Sequence, residues 1–285
     1  MANGVASEAV EAVAEARKQQ GAGQGLEFKP KISLSKETVL PSRGLLYGTA
    51  MPGGRLSVRS MTLREEKILA DPTIGRNQKV DRIIQACVEN LPIPYDSLLV
   101  GDQVFLLFEV RNISYGSDYE VSLGCSACGQ QFPHSVQIPG EVNVKVLCDD
   151  HTEPFYVELP VAGNTLGLRS LRVSDEREIE RYSRLPAVAK LHAGDPSLTY
   201  RLSRHVIEVD GKTVAGQTGQ LLVFLEQLPS RDVYAMLDCV DDNVCGPDIR
   251  MVLPCPACAA VINCTMPLNE TFFRPKRTGA SGHGV

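Results

Sequence analysis

The sequence predicts an α+β protein: a mainly helical domain, two Cys-x-x-Cys hairpins that together make one split ribbon, and a mixed α/β insertion between them. Three observations carry this expectation. Cys125-Ser-Ala-Cys128 and Cys255-Pro-Ala-Cys258 each lie between two strand-like runs. Helical spacing of apolar residues dominates from Thr62 to Asn112. Between the two cysteine pairs, alternating segments give way to helical ones after Ser174-Asp175.

Residues 1–25 read as an N-terminal helical tail. Ser7 to Gln20 is rich in Ala, Glu, Lys and Arg, Asn3 or Ser7 offers a cap, and the glycines from Gly21 end the run. Its apolar stripe of Val10, Val13 and Ala14 is thin, so a loosely attached tail is the plain expectation. Residues 26–60 read as an extended arm closed by a short strand from Arg55 to Met61. Residues 61–118 form the helical core. Thr62-Leu-Arg-Glu65 is a capping box that starts one helix, which Asp71-Pro72 ends. A second helix spans Gln78 to Glu89, with Val80, Ile83, Ile84 and Cys87 on its buried face. Asp96 caps a third, very apolar helix ending near Arg111-Asn112.

Residues 119–140 and 246–275 are assigned to the split ribbon, and 141–245 to the insertion. In the insertion, strands are expected over Val142–Leu147, Phe155–Leu159 and Leu166–Val173. Helices follow over Glu176–Arg184, Leu198–Val206, Gly219–Leu228 and Ser230–Val240, the last with Ser230 as its N-cap. Asp210-Gly211 marks a tight hairpin within Val206–Val214. Residues 276–285 are a basic, Gly/Ser-rich tail, expected to be flexible.

A chain of 285 residues allows one or two domains, and its 43% hydrophobic and 22% charged content is ordinary for a globular protein. The net charge of −5 gives no reason to expect a broad nucleic-acid face. No apolar run approaches the roughly 18 residues of a membrane span, and the first residues lack the pattern of a signal peptide. Nine cysteines, four of them in two Cys-x-x-Cys pairs, suit a reducing compartment and a metal better than a disulfide framework. Synthesis in cytoplasm is therefore expected. The absence of Trp argues against a base- or sugar-stacking surface.

Cys125, Cys128, Cys255 and Cys258 offer the four thiolates of a structural zinc ion, with no position left open for a substrate. Whether both pairs share one ion stays open at this point. A thioredoxin-like redox pair needs a βαβ context that neither pair has. Cys148 and His151 also have ligand spacing, and with Asp149 as base they frame a metallohydrolase reading. That reading lacks an HExxH-like helix and a third ligand. His134, Cys264, Cys239 and Cys245 are weaker ligand candidates, each more simply a buried thiol or a surface polar group. A nucleic-acid-binding ribbon needs basic and aromatic residues, whereas the first hairpin carries Gln130, Gln131, Ser135 and Gln137. No phosphate loop or nucleophile motif is present, so the chain reads as non-enzymatic.

The order of motifs carries a resemblance. Leu40-Pro-Ser-Arg-Gly-Leu-Leu-Tyr-Gly48 comes first, then Arg59-Ser-Met-Thr-Leu-Arg-Glu-Glu66. Arg111-Asn-Ile-Ser-Tyr-Gly116 and Tyr119 lead into the first cysteine pair, and the second is followed by Pro267-Leu-Asn-Glu-Thr-Phe-Phe273. Over roughly residues 38 to 135 and 246 to 275 this resembles the zinc-ribbon baseplate hub and hub-assembly proteins of T4-like and other contractile-tailed bacteriophages. The resemblance implies a structural or assembly component of a phage tail baseplate, made in the host bacterial cytoplasm. Its implied partners are other tail proteins: hub, spike, tape measure or wedge. In that setting Arg43, Leu45, Leu46 and Tyr47 are candidates for a docking arm, with packing on the protein's own domain the alternative.

Overall fold

The computed structural model describes residue 15 and residues 34–186, 188, 196–268 and 270–273. Of the helical segment expected over Ser7–Gln20 only Glu15 is described, as helical, and the tail over 276–285 lies outside the described residues. The chain divides into two units, Met1–Ser33 and Leu34–Val285, and every element below belongs to the second. Among the described residues it is a mixed α/β structure with eight α-helices and several small sheets.

The arm contains a strand that its sequence hides. β1 (Ser35–Val39) pairs antiparallel with β2 (Arg55–Arg59), and β2 with β3 (Val88–Glu89). Only Thr38 of β1 is buried, so no apolar alternation advertises it. Between β1 and β2 the chain folds back through two 3₁₀ turns, Leu45–Ala50 and Pro52–Gly54, with Leu40 and Ser42 buried.

Helix α1 (Leu63–Ala70) begins on the expected capping box, where the Thr62 N–H donates to the Glu65 carboxylate at 2.8 Å. Helix α2 (Arg76–Cys87) starts before Gln78 and stops before Val88, because the β-branched Val88 is taken into β3 opposite Val58. Asp96 does not cap the third helix. Tyr95–Ser97 form a 3₁₀ turn, and α3 runs over Val100–Tyr115 with no side-chain cap. Tertiary partners take its early N–H groups instead: the Tyr47 hydroxyl accepts from Leu99 at 2.9 Å, and Leu171 O from Val100 at 3.0 Å. Successive residues from Leu106 to Arg111 are all buried, which marks α3 as the central helix.

The first cysteine pair joins β4 (Asp118–Gly124) to β5 (Gln131–Gln137). The strand expected over 142–147 contracts to β6 (Val144–Lys145), since only two residues lie opposite it. Next come β7 (Phe155–Glu158), β8 (Thr165–Leu168), α4 (Val173–Ser183), α5 (Pro196–His205), β9 (Val206–Val209) and β10 (Lys212–Thr213). The four strands form an antiparallel sheet in the order β10-β9-β8-β7. Its expected tight turn is present, with Asp210 and Gly211 both at positive φ. α6 (Thr218–Glu226) and α7 (Ser230–Asn243) follow, and Pro229 rather than Ser230 is the N-cap residue of α7. β11 (Gly246–Pro247) pairs back onto β6. The second cysteine pair joins β12 (Arg250–Pro254) to β13 (Val261–Thr265), and α8 (Glu270–Phe273) closes the described chain.

Among the described residues the two larger hydrophobic cores are distinct. One gathers Ile83, Ile84, Leu106, Phe108, Val121 and Phe272, and so joins α2, α3, the cysteine hairpins and α8. The other gathers Phe155, Leu166, Leu168, Leu202, Leu225 and Met236, all from the stretch between the cysteine pairs. Where α3 meets β11 the backbones touch: a Cβ on Gly101 would stand 1.8 Å from the Cys245 carbonyl oxygen, so only glycine fits there. Among the described residues no helix is long and apolar enough to cross a membrane.

Candidate metal centre

Each Cys-x-x-Cys pair is built the same way. In the first, the Gly129 N–H donates to Cys125 O at 2.9 Å and the Cys125 N–H to Gln130 O at 2.9 Å. In the second, the Ala259 N–H donates to Cys255 O at 2.9 Å and the Cys255 N–H to Ala260 O at 2.8 Å. The residue after each second cysteine must turn left-handed to close this loop: Gly129 has φ 74° and Ala259 φ 59°. Glycine adopts that conformation freely, whereas alanine is strained in it. The first cysteine of each pair is buried and the second is exposed. Thus equivalent turns present two sulfurs each to a common point.

At that point the four ligand atoms of Cys125, Cys128, Cys255 and Cys258 all lie within 4.8 Å of one another. Two contacts cross between hairpins: Cys125 Sγ to Cys258 Sγ and Cys128 Sγ to Cys255 Sγ, both 3.7 Å. A disulfide requires about 2.05 Å. A tetrahedron of sulfurs around an ion with bonds of about 2.3 Å has edges of about 3.8 Å. The spacing therefore fits a four-thiolate ion.

Electrostatics points the same way. Backbone N–H groups of Cys258 and Ala257 face the Cys255 sulfur and, against burial, hold its thiol down to about 7. Cys258 also receives an N–H, from Ala260, but the thiols of Cys128, Cys255 and Cys125 crowd it and, with burial, push it up to about 12. One thiolate forms readily here and the next forms against its charge. A bound cation removes that conflict. Four thiolates fill the tetrahedral shell of such an ion, the arrangement found in structural sites.

The hairpins are aligned by residues outside the cysteine motifs. Arg111 is fully buried near the C-terminus of α3 and donates to the carbonyls of Gly116, Asp118 and Phe272. Its guanidinium lies 5.5 Å from the Tyr119 ring centroid and 5.7 Å from that of Phe272. The Tyr119 hydroxyl donates to Pro267 O. One side chain thus ties the start of the first hairpin to the chain that leaves the second.

The other sequence candidates stand apart from the four sulfurs. Among the described residues the cysteine quartet alone forms a group with metal-binding geometry. His151 has a buried Nε2 with no hydrogen-bond partner among the described residues, its ring 6.0 Å from that of Phe155, while Cys148 is exposed. His134 sits on β5 opposite Val121, and Cys264 packs against the small cluster of Cys125, Cys255 and Ile262 without joining the ligand group. Cys239 points at Tyr156 O, and Cys245 is buried against Asp102. In the arm, Arg43 pairs with Asp149 at 2.5 Å and Leu45 is partly exposed, while Leu46 and Tyr47 pack beside Leu99, Leu147 and Cys245. The Tyr47 hydroxyl donates to Asp102 at 2.5 Å, and burial followed by the Asp102 charge pushes its pKa up.

A family model described as T4 bacteriophage base plate protein matches residues 45–187, half of the chain. The matched stretch runs from the arm through α1, α2 and α3 to the first cysteine hairpin and α4, and stops before the second pair. Neither the curated proteins nor the solved structures contain a match.

Proposed function

Because the chain belongs to the T4 bacteriophage base plate protein family, we propose that it is a non-enzymatic structural or assembly component of the hub region of a contractile tail baseplate. It works there as a clasp, with a structural zinc ion held by Cys125, Cys128, Cys255 and Cys258. Family membership supports the baseplate role and, with it, other tail proteins as partners. The zinc reading is supported above all by the convergence of four sulfurs from two hairpins distant in sequence. An ion with a full thiolate shell binds no substrate, and what it does is fix the relative position of the two hairpins. The arm residues Arg43 and Leu45, exposed on the turn after β1, belong to the surface available for neighbours, while Leu46 and Tyr47 support that turn from beneath.

The test has two arms. Protein purified without added metal should carry about one zinc ion per chain, and Cys128→Ser with Cys258→Ser should abolish it. Full occupancy by zinc in that double variant, or a metal-free native fold, removes the ion from the proposal. Mass spectrometry of purified tails and assembly intermediates should find the chain in baseplates. Its absence from both removes the location and leaves the metal site standing.

A further inference from the structure

A groove of about 710 Å³ runs between α2 and α4. The two helices are antiparallel here, bridged by polar contacts: Asn77 Nδ2 to Glu180 at 2.9 Å and Arg177 to Asp81 at 2.8 Å. On the α2 wall Gln78, Arg82 and Gln85 recur at helical spacing, and on the α4 side Arg177, Arg181 and Arg184 do the same. Along α2 the lining from Asn77 to Gln85 covers about 12 Å, a little over two helical turns.

Its charge is uneven. Four arginines face the groove against two carboxylates, in a chain whose net charge is −5. Both carboxylates are engaged from within: Asp81 accepts from Arg177, Tyr95 and Gln103, and Glu180 from Asn77 and Arg184. Arg82 and Arg181 are exposed, and their guanidinium groups make no ion pair or hydrogen bond among the described residues. The core does not use these two side chains. They stand on opposite walls of the same groove, each forked for bidentate pairing with a carboxylate.

We propose that this groove docks an acidic helix of a neighbouring tail protein, with carboxylates three to four residues apart meeting Arg82 and Arg181. The helical spacing on both walls matches the one-turn repeat of such a ligand, and exposed Leu185 at one end offers it an apolar contact. Nucleic acid fits less well, because no aromatic ring lines the groove for stacking and the chain as a whole carries a net charge of −5. The proposal deepens the assembly reading and rests on it for the partner's origin, whereas its test uses purified components alone.

The probes are a labelled synthetic helical peptide with Glu at every third or fourth position, its Gln counterpart, and a duplex DNA oligonucleotide. Each is titrated with the full chain by fluorescence anisotropy at low and moderate salt. The Glu peptide should bind at least about tenfold more tightly than the Gln peptide, with a marked loss in salt. Arg82→Glu with Arg181→Glu should weaken it by on the order of tenfold or more, with the thermal midpoint unchanged because neither side chain is tied into the fold. Equal affinity for both peptides, equal affinity of the double variant, or tighter binding of DNA than of the Glu peptide overturns the proposal. Any of those results leaves the baseplate assignment intact.

Discussion

Replacing Arg111 with Met tests whether the alignment of the two cysteine hairpins depends on one buried cation. The guanidinium satisfies three backbone carbonyls, those of Gly116, Asp118 and Phe272, and lies over two aromatic rings. Burial lowers the pKa of Arg111, and it has no ion-pair partner among the described residues, so its charge is held by these carbonyl dipoles. When a buried ion pair is replaced, two apolar side chains can fill the space at little net cost. That route is closed here, because backbone carbonyls cannot be mutated away. Each carbonyl left without a donor costs about 1–3 kcal/mol, and the ring contacts add about 0.5–2 kcal/mol. Relief of the guanidinium's own desolvation offsets part of this. Arg111→Met should therefore destabilise by about 3–5 kcal/mol, a large share of a typical domain's 5–15 kcal/mol. Arg111→Lys, able to reach some of the carbonyls but not to lie flat on the rings, should fall between. The assay is a urea titration of metal-loaded protein followed by circular dichroism, with the slope checked for constancy. A loss below about 1 kcal/mol for Arg111→Met refutes the reasoning.

Four further outcomes are expected. Ala259→Gly should stabilise the metal-loaded protein by up to about 1 kcal/mol, because relief of a left-handed alanine, about 1–2 kcal/mol, exceeds glycine's extra chain entropy; a lower thermal midpoint counts against it. Burial alone raises the pKa of Glu65, but hydrogen bonds from Arg59 and Thr62 overcome it and hold it at about 2 against an ordinary 4.5. Its contribution is thus full above that ordinary value and is lost as pH falls from 4.5 towards 2, so Glu65→Gln should flatten the acid limb of stability there; an unchanged limb contradicts this. Tyr47→Phe removes both the donor to Asp102 and the acceptor for the Leu99 N–H, and should cost about 2–4 kcal/mol in the same urea assay, a cost that a freely detached arm would not show. Chelation should strip hydrogen-exchange protection from the β4–β5 and β12–β13 hairpins while the core around Leu168, Leu202 and Met236 keeps its own. Uniform loss across both cores is the contrary result.

Local chemistry made much of the fold readable. Thr62 and Glu65 are close in sequence, so their capping box was visible without knowledge of the fold. The same holds for Asp210-Gly211 and for the cysteine pairs. What escaped depends on partners far along the chain. Asp96 looked like a cap for α3, yet its carboxylate binds Arg177, while the helix N-terminus is satisfied by Tyr47 and Leu171. β1 carries one buried side chain and so lacks a strand signature. β6 is shortened by the two-residue length of β11 rather than by anything in its own sequence. For the site, cysteine spacing identified the four sulfurs but not their crossed approach, which depends on how the hairpins pack. The α2–α4 groove left only scattered arginines as a signal, since its walls are separated by roughly a hundred positions.

The long gap between the cysteine pairs has a modest thermodynamic consequence. Cys125 and Cys258 are 133 positions apart, whereas a compact ribbon joins its pairs through a loop of about 15 residues. By the logarithmic dependence of closure entropy on length, the longer loop costs only about 2 kcal/mol more. A structural zinc ion is worth about 10–16 kcal/mol in small peptides, so the ion proposed here would outweigh that difference several-fold. The protein adds to it at both ends of the gap. β6 pairs with β11 just inside the two hairpins, with Gly101 letting α3 touch Cys245 directly beside that pairing. Arg111 then links the entry to the first hairpin with the exit from the second. The inserted residues pack a core of their own, so they return the chain at a defined point rather than as a flexible loop. The Arg111-Asn-Ile-Ser-Tyr-Gly116 run ahead of the first cysteine pair carries several of these contacts. Arg111 bridges the hairpins, Ser114 accepts the Met61 N–H at 2.9 Å, Tyr115 bonds Glu66, and Gly116 ends α3 at φ 88°. Arg111 thus joins the two hairpins, while Ser114 and Tyr115 fix the end of α3 against the residues around the start of α1.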